Sequence, residues 1–168
     1  MSLTMYTATV PTCTRALNSL AAILEKASAH ADARKIAPAT LLGTRLYPDM
    51  LPLSMQIQLA NDSARSGAAR LAGVEVPTFE AKDRGFAEWI SATRETIAFI
   101  QSLKPAQFEG SEDKTVSWQS RSSTKSMQGT PYLFHHVLPN VFFHVTTAYD
   151  ILRQTGLEIG KMDYLGRG

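Results

Sequence analysis

The sequence predicts an all-α four-helix bundle, with a long connector after the first helix and a small β-hairpin inserted before the last. Four segments place apolar residues at spacings of three and four, and helix start or stop residues bound most of them. One short Thr-rich stretch between two glycines breaks that period. At 168 residues the chain is expected to form one domain, residues 1–168, large enough to bury well over half of its unfolded surface.

The first helix is expected to open at Pro11, a favoured first-turn residue, and to cover residues 11–31. Cys13, Leu17, Leu20, Leu24, Ala27 and Ala31 share its inner stripe. Residues 32–51, broken by Pro38, Gly43 and Pro48, form a connector with room for short helical turns only, and Tyr47 and Asp49 lie at its tip. The second helix covers residues 52–71 and closes at Gly73. Its core stripe, Leu53, Ile57, Ala60, Ala64, Gly67 and Leu71, is rich in small residues that permit close helix approach. A second stripe, Leu51, Met55, Leu59, Asp62, Ser66 and Ala69, faces the other way and predicts a homodimer through helix two.

The third helix, residues 82–103, carries Phe86, Ile90, Thr93, Ile97 and Ile100 on one face and stops before Pro105. Residues 114–119 and 123–127 read as the two strands of a hairpin, which must lie on the bundle because an isolated hairpin is marginal. The last helix takes Thr130 as N-cap and Pro131 at its first position, continues to residue 155, and ends at Gly156. Pro139 inside it removes one hydrogen bond and predicts a kink. The tail, residues 157–168, shows no period and is expected to be irregular.

Composition narrows the function classes. The 17 basic and 15 acidic residues give a net charge of +2 and are mixed along the chain, so no stripe exists to follow a phosphate backbone. Nucleic acid is not an expected partner. No apolar run reaches the ~18 residues that would cross a bilayer, and a single cysteine suits a reducing compartment. The expected location is the cytoplasm, with no membrane contact. Cys13 itself falls on a core stripe, where a thiol behaves as a small apolar group.

Three of the four histidines fall in the last helix. With Leu133 at zero and about 100° per residue, Asn140 lies near −20°, His144 near +20° and His136 near −60°, whereas His135 points away. His136, Asn140 and His144, spaced by four, are therefore a candidate polar constellation in the bundle, with Tyr47 and Asp49 of the connector as candidate pocket residues. On the residues alone the favoured reading of the three is as core polar groups satisfied by backbone, tyrosine or water, because a helical histidine is more often packed than catalytic.

The order helix, long connector, two helices, hairpin and final helix, together with Arg45-Leu46-Tyr47-Pro48-Asp49-Met50 and the closing run from His144 to Gly156, resembles the DinB/YfiT-like metalloenzyme superfamily, in particular its small uncharacterised bacterial members. The likeness covers essentially the whole chain. It implies a four-helix bundle that binds zinc or nickel through one histidine of helix two and a His-x-x-x-His pair of the last helix. Some relatives act as thiol-dependent transferases or isomerases. The second histidine of that pair matches His144, and the first falls at Asn140. No histidine occurs in helix two. His136, one turn earlier, is the remaining candidate metal ligand beside His144. Two functions follow: a metal-free binding or interaction module for a small molecule, with a degenerate metal site, or a metal-dependent transferase, isomerase or hydrolase using His144 and His136. Ligand count favours the first, because a catalytic zinc normally has three protein ligands.

Overall fold

A computed structural model of the chain describes residues 3–78, 85–120 and 123–167. Helix α1 (Met5–Arg34) begins at Thr4, not at Pro11. Thr4 Oγ1 accepts the Thr7 N–H at 3.1 Å while Thr7 Oγ1 accepts the Thr4 N–H at 2.8 Å, a reciprocal cap made without the usual Glu or Gln. Pro11 lies inside α1, which continues through it because Val10, Cys13 and Leu17 are all packed in the core. The connector contains one short helix, α2 (Pro38–Leu42), as its prolines allow.

Helix α3 (Leu53–Ala72) ends where Gly73 adopts a φ of 70°, a left-handed cap open to glycine at little steric cost. Helix α4 (Phe86–Ser102) follows; its expected start at residue 82 lies outside the described residues. Strands β1 (Thr115–Ser120) and β2 (Ser123–Gln128) pair antiparallel, with Trp118 opposite Lys125. Val116 is buried and anchors the hairpin to the bundle, whereas β2 is exposed along its length.

The expected last helix is built of three pieces: α5 (Gly129–Tyr132), a π turn (Leu133–Val137) and α6 (Leu138–Gln154). Gln128, not Thr130, is the N-cap; the Thr130 hydroxyl instead donates to the Glu112 carbonyl at 3.2 Å. Ahead of Pro139 lies the π turn, in which the Leu138 N–H reaches back to the Leu133 carbonyl. A wide turn before the proline relieves the clash of its ring with the preceding turn. The tail is not wholly irregular, for α7 (Lys161–Tyr164) docks on α1 through the Lys26–Asp163 ion pair.

Helix α1 packs chiefly on α4 and α3 chiefly on α6, and α1–α6 and α3–α4 contacts close the four-helix bundle. Leu17, Leu20, Leu24, Ile57, Ile97 and Ile151 are buried in one core, as their stripes require, and Ile90 packs against it half-buried. Gly67 lets α3 lie close against the π turn, for a Cβ there would overlap the Val137 side chain. Among the described residues no helix is long and apolar enough to cross a membrane.

Candidate functional site

The π turn decides which side chains of the last helix meet the core. Val137, Val141, Val145 and Ala148 form the buried stripe of this helix. Asn140 and His144, expected on that stripe, lie one position to its side and are half-buried against α3. The wheel assumed an unbroken 3.6-residue period, and one five-residue turn before Pro139 is enough to shift everything after it.

Gln56 of α3, only 2% exposed, meets His144 there: its Oε1 lies 2.7 Å from Nδ1. The Gln56 amide nitrogen donates to the Leu51 carbonyl at 3.0 Å, which leaves Oε1 as the acceptor and makes His144 Nδ1 the protonated nitrogen. Nε2 of His144 therefore carries the lone pair. Burial pushes the His144 pKa down and favours the neutral ring. Asn140 closes the next turn, its amide nitrogen donating to the His136 carbonyl at 2.6 Å.

His136 belongs to a different cluster. Its ring stacks on Trp118 of β1 at 4.7 Å and on Tyr132 of α5 at 5.4 Å, and the buried Tyr132 hydroxyl accepts a hydrogen bond from Arg70 Nη1 at 3.0 Å. Burial first, then the positive charges of Lys125 and Arg70, hold the His136 pKa down. Between α3 and the π turn, roofed by β1, these groups line a cleft of about 200 Å³ whose other walls include Asp62, Ser63, Ser66 and Asn140. Asp62 is paired with Arg65.

Tyr47 and Asp49 do not join either cluster; both are exposed at the connector tip, and Tyr47 is 65% accessible. His135 is exposed, and Cys13, with its thiol pushed up to about 12 by burial, is chemically quiet. A larger hollow of about 560 Å³, lined by Met5, Tyr6, Phe108 and Phe134, contains none of His136, Asn140 or His144. Sequence reading missed Gln56, Arg70 and Tyr132. Gln56 adjoins the core residue Ile57, and its one signal was a polar side chain bordering an apolar stripe.

The donor set can be weighed against the zinc or nickel of the superfamily. The three side chains at the α3–α6 seam offer one imidazole and two carboxamides, and both amides are engaged in hydrogen bonds. Among the described residues no three His, Cys, Asp or Glu side chains converge. Such a set does not fit a divalent zinc or nickel ion, for which imidazole and thiolate are the preferred ligands.

The bundle, its hairpin insert and this seam define a DinB-like protein. A crystal structure of a DinB family member protein from Shewanella denitrificans is 35% identical, covers 96% of this chain with 91% of its own, and superposes with a TM-score of 0.88. Comparison with curated proteins gives no match. The chain belongs to the family Domain of unknown function (DUF1993), whose model matches residues 5–165.

Proposed function

We propose that this protein is a metal-free binding module in which an amide–imidazole network stands where DinB-like relatives hold a metal. The carrying observation is the Gln56–His144 hydrogen bond of 2.7 Å, made by a glutamine that is itself buried and fixed by the Leu51 carbonyl. The buried amide accepts the Nδ1 proton and fixes the ring's tautomer and orientation, and it leaves His144 Nε2 as the one imidazole donor of the seam, short of the three protein ligands that a catalytic zinc normally has. Asn140, whose amide nitrogen donates to the His136 carbonyl, has only its Oδ1 to offer, a poorer zinc or nickel ligand than imidazole.

Elemental analysis of protein purified without chelator tests the reading. Well under one equivalent of zinc or nickel is expected, together with no saturable heat on titration with either ion. A full equivalent that disappears in His144→Ala would instead support a metal-dependent enzyme with His144 as a ligand.

A further inference from the structure

Arg70 presents a charge that the described residues around it leave uncompensated. It sits partly buried in the last turn of α3, and among the described residues no carboxylate pairs with it. Among the described residues its side chain donates to the Tyr132 hydroxyl alone, at 3.0 Å, which leaves further guanidinium donors unspent there. The helix dipole favours a cation near a C-terminus, yet it gives no reason for that cation to lie in a cleft under an aromatic roof. Partial burial of an unpaired charge costs free energy that a bound anion would return.

The surroundings favour the same charge. Asp62, the carboxylate in the cleft wall, is already neutralised by Arg65. Lys125, opposite Trp118 on the hairpin, adds a second cation whose field, with that of Arg70, reaches His136. Ser63 and Ser66 border the cleft with hydroxyls that make no hydrogen bond among the described residues. At about 200 Å³ the cleft is smaller than sites for drug-sized ligands, which occupy roughly 300–1,000 Å³. It has room for one charged group and a short polar body.

We propose that the cleft between α3 and the π turn binds a small oxyanion, a carboxylate or phosphate group, seated on Arg70 beside the Ser63 and Ser66 hydroxyls and roofed by Trp118. The inference names a ligand class for the binding module proposed above and rests on that reading. Guanidinium recognises either group by paired, charge-assisted hydrogen bonds, and its planar fork distinguishes Arg70 from a lysine in the same place.

Titration of the full chain with inorganic phosphate, and separately with acetate, at constant ionic strength and with chelator present, tests it by ¹H–¹⁵N correlation spectra. Saturable shifts of the Trp118 indole N–H and the Arg70 Nε–H are expected in at least one arm, and the arm that saturates first identifies the group. Arg70→Gln should weaken binding by about tenfold or more, the size of a lost charged hydrogen bond. Ser66→Asp, which sets a carboxylate one helical turn from Arg70 where it repels an anion and competes for the guanidinium, should weaken it similarly in a folded protein. Arg34→Gln, an exposed arginine at the end of α1, should bind as the parent does. Linear, unsaturable shifts in both arms, or an equal loss in Arg34→Gln, would overturn the proposal. Metal analysis separates the two readings: stoichiometric zinc or nickel removes the metal-free module, whereas absent metal with no anion binding removes only the oxyanion site.

Discussion

His144 and Gln56 each fix the other's orientation, and removing either leaves a buried polar atom unpaired. His144→Ala should therefore destabilise the fold by about 1–3 kcal/mol, through the orphaned Gln56 Oε1 and a small cavity. A double-mutant cycle with Gln56→Ala, followed by urea unfolding, should return a coupling energy well above zero; additive losses would mean that the two side chains do not interact in solution. Protonation perturbs the same pair. Folding lowers the pKa of His144 and of His136 from the ordinary 6.5, so the unfolded chain takes up protons at a higher pH than the folded one does. Stability from these groups is complete above the unfolded pKa and is lost as pH falls through it toward the folded values. Urea midpoints should decline between about pH 7.5 and pH 5.5, and less steeply in His144→Gln, which can still bond to Gln56 but does not titrate. A midpoint independent of pH over that window would show that the rings are not buried neutral. The Asp163 pKa is also lowered, but from 3.8, so its contribution is lost in a separate, more acidic range.

Between elements, the approach of α3 to the π turn governs how the site is presented. Gly67→Ala would place a Cβ against Val137, so a loss of about 1–3 kcal/mol from overpacking is expected despite alanine's better helix propensity. The replacement Val137→Ala should recover much of that loss in the double variant, since it removes the atoms the new methyl meets. Stability unchanged in Gly67→Ala would place the two elements farther apart than they are here. This contact also explains which parts of the architecture were readable beforehand. The four amphipathic stripes, Gly73 and the hairpin were legible because each depends on local period or on one residue's φ preference. The response of the chain to Pro139 was not local: the proline costs a hydrogen bond in any case, but the period of the sequence does not show that a π turn precedes it. From that one turn follow the displacement of Asn140 and His144 from the core stripe and the entry of Val141 and Val145 into it. Gln56 was illegible for a related reason, since the flank of a helix acquires meaning only once its neighbour is known. The convergence of Arg70, Trp118 and His136 depends on where the hairpin lies on the bundle, which no spacing in the sequence encodes.

At the scale of the whole molecule, the outer side of α3 carries the remaining apolar surface near the seam. Met55 and Leu59 are half-covered within the chain, while Leu51 is 39% and Phe143 56% exposed. These last two flank the polar pair: the Leu51 carbonyl accepts from Gln56, and the Phe143 ring lies edge-on to His144 at 5.3 Å. A second copy of the chain is the expected cover, because a patch of this kind on a two-fold axis meets itself and a C2 dimer is the commonest symmetric solution. Ala69, expected on the same stripe, is buried inside the bundle, so the face is shorter than the sequence pattern implied. Static light scattering should give twice the chain mass for the parent protein. Met55→Lys with Leu59→Lys should give a folded monomer, since two half-covered side chains can turn their charges to solvent in one copy but not against a second. Far-UV circular dichroism of that variant should keep the helical spectrum of the parent, which separates dissociation from unfolding. A parent protein that stays monomeric at high concentration rules out the dimer, and leaves Leu51 and Phe143 as solvent-facing apolar residues beside the Gln56–His144 pair.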